Sequence, residues 1–254
     1  MKIGSLCTGY GGLDIAAEAF FNAETIWCAE YDQHASKVIQ ERFGYLNYKD
    51  IKTINWDEVP AVDILTAGYP CQPFSVAGNR KGKDDARHLW PYIKEGIRTL
   101  RPRWVVMENV KGHLTLGFDQ VLYDLAQIGY DARWQVVRAA EVGAPHNRAR
   151  LFIVAYPSHT IGTYDGQMQK LGRGFTTLFD MHLQEPPAEL EEGRVSPRFI
   201  EYMMGLPAGW VTNVNLPIQE QYKILGNGVV PQQAYYALQE ILKSDTPIDQ
   251  DIHE

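Results

Sequence analysis

One cysteine in this chain is placed for chemistry. Cys71 stands in Gly68-Tyr69-Pro70-Cys71-Gln72-Pro73-Phe74-Ser75, directly after the apolar run Val62-Asp63-Ile64-Leu65-Thr66-Ala67. An apolar run ended by glycine and proline predicts a buried strand closing in a loop. The ends of such strands are where an open α/β sheet keeps its site. Pro70 and Pro73 each fix their own φ and bias the residue before them, so the loop is stiff and its thiol is held as a positioned nucleophile. A random cysteine is more often a small buried apolar residue; the neighbouring motifs argue against that here. A second apolar run, Arg103-Trp104-Val105-Val106-Met107, leads into Glu108 and Asn109. If the two strands are neighbours, the Glu108 carboxylate lies beside Cys71. Arg148 and Arg150 alternate at the start of a third run, Leu151 to Ala155, so both point to one face.

The elements that must position these groups read as a doubly wound α/β sheet. Lys2 to Cys7 is a first strand, Thr8-Gly9-Tyr10-Gly11-Gly12 a glycine loop, and Leu13 to Phe20 a helix with Leu13, Ala16, Ala17 and Phe20 on one face. Strand, glycine loop and helix make a nucleotide-binding start, although the spacing is not G-x-G-x-x-G. The next strand, Thr25 to Ala29, ends in Glu30, where an acid accepts from ribose hydroxyls. Asp32 reads as the N-cap of a helix from Gln33 to Phe43, and Asp50-Ile51 falls in a polar loop. The basic stretch Ala77 to Arg87 reads as a lid hinged at Gly78 and Gly82. Helices are predicted over Leu89–Leu100 and Phe118–Ile128, with Gly129 as the stop of the second. A hairpin of strands, Arg133–Ala140 and Leu151–Ala155, follows. From Pro157 to Gly193 the pattern dissolves. Ser196 then caps a short helix, and Ile224 to Pro231 opens a last helix, Gln232 to Lys243.

Composition sets the bounds. The chain of 254 residues, 45% apolar and 22% charged, suits one sizeable unit with a smaller appendage. Cys7, Cys28 and Cys71 form neither a disulfide framework nor a zinc spacing, and a reducing, cytoplasmic setting is expected. No apolar stretch is long enough to span a membrane, and with a patterned strand starting at Lys2 no secretory leader is expected. The net charge of −7 argues against a nucleic-acid partner only if charge is spread evenly. It is not. Acid gathers in Glu185–Glu192 and Asp245–Glu254, base in Arg80–Lys83, Arg98–Arg103 and Arg148/Arg150, so a polyanion has local basic faces to lie on. His34, His88 and His113 show no metal spacing and read as structural or surface, and Trp27, Trp56, Trp90, Trp104 and Trp134 as core or packing residues.

These motifs, in this order from Leu6 to Val229, resemble the DNA cytosine-5 methyltransferases. Leu6-Cys7-Thr8-Gly9-Tyr10-Gly11-Gly12, continued by Leu13, looks like the family's cofactor loop. Gly68-Tyr69-Pro70-Cys71-Gln72 is close to its nucleophile motif, Glu108-Asn109-Val110 to its base-binding acid motif, and Arg148-Ala149-Arg150 to its Arg-x-Arg strand. Gly226-Asn227-Gly228-Val229 looks like its last motif, which covers the methionine end of the cofactor. The resemblance implies a Rossmann-like S-adenosylmethionine-dependent methyltransferase fold, a mostly parallel sheet with helices on both faces, plus a small irregular target-recognition domain. It implies a catalytic and cofactor-binding domain of residues 1–156 and 215–254, with recognition in 157–214. It implies catalysis by Cys71, Glu108 and Arg150, with Asn109 and Arg148, on a cytosine flipped out of duplex DNA. The cofactor implied is S-adenosylmethionine, leaving as S-adenosylhomocysteine, without a metal. Its contacts would come from the glycine loop, Glu30, Tyr31, Asp50, Ile51, Gly68, Pro70, Leu89, Asn227, Gly228 and Val229. DNA contacts would come from Ser75, Arg80, Lys81, Lys83 and Arg87, and a monomer is expected.

Three positions depart from the family pattern. Cys7 stands for a phenylalanine that packs on the adenine, Gly228 for a serine able to bond the cofactor, and His146 for a glutamine. The recognition region is short, from Pro157 to Glu192. A reader this small, with Lys170, Arg173, Gln167 and Gln169 as candidates, predicts a site of about two or three base pairs, because discrimination needs roughly one good bidentate contact per base. A zinc deaminase is set aside, since Phe74 occupies the place of its second cysteine and no His-x-Glu exists. A dinucleotide oxidoreductase leaves Cys71 and Glu108 unexplained. An RNA (tRNA) cytosine-5 methyltransferase and a non-catalytic DNA-binding companion are the alternatives that stay open.

Overall fold

The computed structural model describes residues 1–70, 89–158, 185–191 and 193–243. Among them, seven strands form one sheet: β1 (Lys2–Leu6), β2 (Glu24–Ala29), β3 (Leu46–Asn47), β4 (Ile64–Gly68), β5 (Trp104–Val110), β6 (Tyr130–Arg138) and β7 (Ala149–Pro157). The spatial order is β3-β2-β1-β4-β5-β7-β6. The first five are parallel, and β7 runs antiparallel to both β5 and β6. The expected fold is therefore observed, as is the hairpin at its edge. The order reverses at β1, which puts a crevice at the C-terminal ends of β1 and β4.

Both faces of the sheet are covered, which is why its central strands read as continuous apolar runs. The alternation along β5 shows the division. Val105 and Met107 pack toward α3 (Trp90–Leu100) and α4 (Phe118–Gln127), in one cluster with Ile93, Ile97, Val121 and Leu125. Trp104 and Val106 pack toward α1 (Gly12–Phe21) and the last helix, with Ala16, Ala17, Ala237 and Leu238. A third cluster lies beyond the crevice. There Tyr10 and residues Ala35 and Val38 of α2 (Gln33–Arg42) meet Met204, Leu206, Val211, Val214 and Leu225. The C-terminal part of the chain is thus packed onto the glycine-loop side.

That C-terminal part holds a small hairpin of β8 (Leu190–Glu191) and β9 (Arg194–Val195), then α5 (Pro197–Met203), α6 (Ile218–Asn227) and α7 (Pro231–Lys243). Ser196 caps α5 as expected, its hydroxyl accepting from Arg198 N at 3.2 Å. The sequence reading misses α6. Its glycine and asparagine lie at the helix end, where they read as loop, and few apolar residues mark its buried side. Ile51, read as part of a polar loop, is in the core. Trp134, read as a packing residue, is 39% exposed because β6 is an edge strand; its ring meets Phe118 edge-on at 5.1 Å. The bases Arg98 to Arg103 do not reach the crevice. They sit before the N-terminal end of β5, where Arg98 pairs with Glu95, Arg101 donates to Ile128 O and Arg103 lies over Trp104. No helix among the described residues is long and apolar enough to cross a membrane.

Candidate active site

Pairing of β4 with β5 sets Gly68 opposite Glu108, so the nucleophile strand and the acid strand end side by side. Antiparallel β7 then brings Arg150 against Val110, two residues further along β5. The result is an ion pair, Arg150 Nε to Glu108 Oε1 at 2.8 Å, with both side chains largely buried. Burial pushes the Glu108 carboxyl up to about 7, although Arg150 and then Arg148 pull it down. Burial thus favours the protonated form of this carboxyl, while the two guanidinium groups favour the ionised one.

A cavity of about 360 Å³ opens from this pair along the crevice. That size lies within the range of small-molecule sites. Cys7 and Gly9 line it from the glycine loop, Gly68 from the end of β4 with Tyr69 and Pro70 just after it, and Asn227 from the end of α6. Glu30 lies at the tip of β2, where the reading put it. Its carboxylate holds the loop, accepting from Gly9 N and Asp32 N at 2.8 Å each. Burial raises its pKa against those two bonds. Asp32 caps α2, accepting from His34 N and Ala35 N. Beyond that expected role it reaches Lys223 of α6 at 2.5 Å, and both line the rim of the cavity. Burial acts upward on Asp32, but the Lys223 bond and the two backbone N–H groups hold it below its usual range. Asp32, His34 and Glu220 cluster as metal ligands would, but the Lys223 ammonium already sits among the carboxylates, 3.4 Å from Glu220.

The glycine loop is closed over by the last motif at van der Waals contact. Gly11 has φ +85°, which favours glycine, and starts α1. A Cβ on Gly12 would strike the Val229 carbonyl. Tyr10 is fully buried behind the loop and donates from its hydroxyl to Val229 O at 2.8 Å. Its ring occupies the space a Gly228 side chain would need, which gives a steric reason for glycine where the family has serine. Arg148 ties down the same segment, donating to Gly226 O at 2.7 Å and Gly228 O at 2.9 Å. His146 Nε2 donates to Met203 O at 3.0 Å, anchoring the turn before the arginines to the end of α5. Cys7 sits at φ +54° and lines the cavity, and burial first, then Glu30, pushes its thiol up to about 12.

Other expected residues fall away from the cavity or its lining. Tyr31 is 77% exposed. Asp50 caps a short turn, accepting from Lys52 N at 3.0 Å, and Leu89 precedes α3, packed against the core. Asn109, by contrast, is buried beside Glu108 in the cavity lining, and its Nδ2 donates to the Tyr69 carbonyl at 3.1 Å. Cys71, Ser75, Arg80, Lys81, Lys83, Arg87, His88, Lys170 and Arg173 lie outside the described residues. The sequence reading did not find Asp14, a buried carboxyl under the loop bonded by Ser5 and Thr66 hydroxyls at 2.8 and 2.5 Å. Burial pushes it up to about 7. An acid in the first turn of a helix whose neighbours Leu13, Ala16 and Ala17 face the core was the available signal.

The family model for C-5 cytosine-specific DNA methylase matches residues 1–191. The chain belongs to this family. Among its relatives, the Type II methyltransferase M.Bsp6I of Bacillus sp. (strain RFL6) is 37% identical over 164 residues, 61% of this chain and 52% of that protein. M.NgoBI of Neisseria gonorrhoeae is 35% identical over 156 residues, 59% of this chain and 49% of that protein. The chain thus spans about half the length of the curated relatives it matches. Among solved structures, a mutant of Spodoptera frugiperda DNMT2 superposes with a TM-score of 0.73 at 17% identity, covering 96% of this chain and 99% of that one. The S. pombe Dnmt2 methyltransferase gives 0.70 at 16% identity, covering 96% and 100%. At these identities the likeness is one of fold. The family generally uses S-adenosylmethionine. A cavity lined by the glycine loop, with a carboxylate at the tip of β2, fits such a group.

Proposed function

We propose that this chain transfers a methyl group from S-adenosylmethionine to carbon 5 of cytosine in duplex DNA. The observation that carries the reading is the Glu108–Arg150 pair, held opposite Gly68 on the strand that runs through Tyr69 and Pro70 toward Cys71. Carbon 5 of cytosine is a poor nucleophile. Addition of the Cys71 thiolate at the adjacent ring carbon converts the ring to an enamine able to attack an electrophile. A cysteine thiol has a pKa of about 8.5 and is a few per cent ionised at neutral pH, so the site must favour the anion. Glu108, with its carboxyl near neutrality, holds a proton for the ring nitrogen, and Arg150 offers its guanidinium to the exocyclic oxygen. Charge that develops on the ring is stabilised by both. S-adenosylmethionine supplies the electrophilic methyl group when bound. Loss of the proton at carbon 5 then releases Cys71 as the leaving group.

In this reading Glu30 faces the cofactor's ribose, and the glycine loop with Asn227 to Val229 encloses its methionine end. Arg148 acts by holding the Gly226–Gly228 segment in place. The target is flipped out of the duplex to reach Glu108. Recognition falls to residues 157–214, and the catalytic unit to 1–156 and 215–254, acting as a cytoplasmic monomer. The test is covalent capture on a duplex containing 5-fluorocytosine with S-adenosylmethionine present. Capture by the wild type and none by Cys71→Ala supports the reading. Capture on a tRNA but on no duplex shifts the substrate to RNA, and capture on neither leaves a binding protein.

A further inference from the structure

We propose that Tyr69 and His113 form a positioning pair that fixes the backbone ahead of Cys71 to the segment carrying Glu108. The pair rests on the methyl-transfer reading above for its catalytic consequence, but its geometry stands independently.

Tyr69 follows the last residue of β4, and its side chain is buried. Its hydroxyl lies 3.0 Å from His113 Nε2. On the other side of the ring, His113 Nδ1 lies 2.9 Å from the Leu116 carbonyl. A carbonyl only accepts, so Nδ1 carries the proton and Nε2 is left to accept from the Tyr69 hydroxyl. The imidazole must be neutral for this. Burial holds it below its usual range, while the Leu116 carbonyl and Asp119 of α4 act the other way. Two rings pack around it, Tyr69 just after β4 and Phe118 of α4, both edge-on at 5.6 and 5.7 Å between centroids. The Tyr69 main chain is held as well: its carbonyl accepts from Asn109 Nδ2 at 3.1 Å, and Asn109 Oδ1 accepts from Val110 N at 2.8 Å.

Residue 69 is therefore fixed at two points, carbonyl and hydroxyl. Both holders belong to residues 109–113, which directly follow Glu108. Phenylalanine and leucine would fill these places with less desolvation, so a buried donor and acceptor here supply direction, not volume. The consequence is that the acid and the strand end leading to the nucleophile move as one body. Neither Tyr69 nor His113 is assigned a chemical step.

The experiment compares Tyr69→Phe, His113→Leu, their double variant and His113→Gln. Single-turnover methyl transfer, KM for S-adenosylmethionine, affinity for S-adenosylhomocysteine and amide hydrogen exchange over residues 64–70 are measured. Each of Tyr69→Phe and His113→Leu is expected to slow transfer about 5- to 30-fold, the effect of leaving one buried hydrogen-bonding group unpartnered. KM and product affinity stay within about twofold. The double variant is no slower than the slower single variant. His113→Gln, whose Oε1 can accept in place of Nε2, recovers most of the rate. Exchange at 64–70 quickens in the two impaired variants and not in His113→Gln. Unchanged rates, additive losses in the double variant, or a parallel loss of product affinity would overturn the proposal. If the wild type transfers no methyl group, the methyl-transfer reading fails by itself, and unchanged exchange at 64–70 then overturns the positioning pair.

Discussion

Gly228→Ser puts the family's usual residue where Tyr10 already lies. The backbone of Gly228, φ −74° and ψ 176°, is one any residue adopts, so only space is in question. A Cβ there would run into Cε1, Cζ and Cδ1 of the Tyr10 ring. The ring cannot swing aside freely. It is fully buried, its hydroxyl donates to Val229 O at 2.8 Å, and its own carbonyl accepts from Trp210 Nε1 at 3.0 Å. Forcing extra atoms into such a place costs about 1–3 kcal/mol. At about 2–4 °C per kcal/mol for a domain of this size, the melting temperature should fall by roughly 2–12 °C. The shift must also move the Gly228 carbonyl that Arg148 holds, so S-adenosylhomocysteine should bind more weakly. Thermal melts with and without that ligand read both effects. Tyr10→Val in the same chain makes room, so the two changes together should cost less than their sum by at least about 1 kcal/mol. A Gly228→Ser protein with wild-type melting temperature and ligand affinity would refute this account of the loop.

Glu108→Gln should lower the transfer rate by about 10²–10³-fold, the scale of losing one preorganised electrostatic contact, as single-turnover assays would show. The pH profile should carry the same residue's signature. With its carboxyl raised to about 7, folded Glu108 keeps a proton that the unfolded chain loses near its ordinary 4.5. Its contribution to stability is thus present below that value and fades as pH rises through 7. The protonated form needed for transfer is lost over the same rise, so the rate should fall above about pH 7 and Glu108→Gln should lack that limb. Glu201→Gln tests the packing behind the crevice. This buried carboxylate accepts from Gly209 N, Val211 N, Thr212 N and the Thr212 hydroxyl, and losing several of those bonds should cost at least about 3 kcal/mol in a denaturant titration.

Much of this architecture was legible because strong local signals and the fold agree. Apolar runs at Ile64–Ala67 and Trp104–Met107 marked central strands, and chemistry-bearing residues directly after them marked the sheet edge where the crevice lies. Asp32 announced its cap through its position before Gln33. What stayed hidden depends on partners far apart in the chain. Nothing next to Gly228 says that Tyr10 fills its side-chain space, and nothing next to Tyr69 says that His113 will meet its hydroxyl. Lys223 lies on α6, a helix whose closing glycine and asparagine disguised it as a loop. Trp134 looked like core because its type is apolar, yet an edge strand leaves one side of it open. Asp50 and Tyr31 were placed by resemblance alone, and their side chains do not line the described cavity.

The central claim is that Cys71 attacks cytosine in a site built around Glu108. Methyl transfer from labelled S-adenosylmethionine to duplex DNA, wild type beside Cys71→Ala, with each modified cytosine mapped, tests it most directly. The account predicts label on carbon 5 of cytosine within a short recurring site and none from the variant. Label that persists in Cys71→Ala, or a folded wild type that modifies no cytosine in duplex DNA, would contradict it.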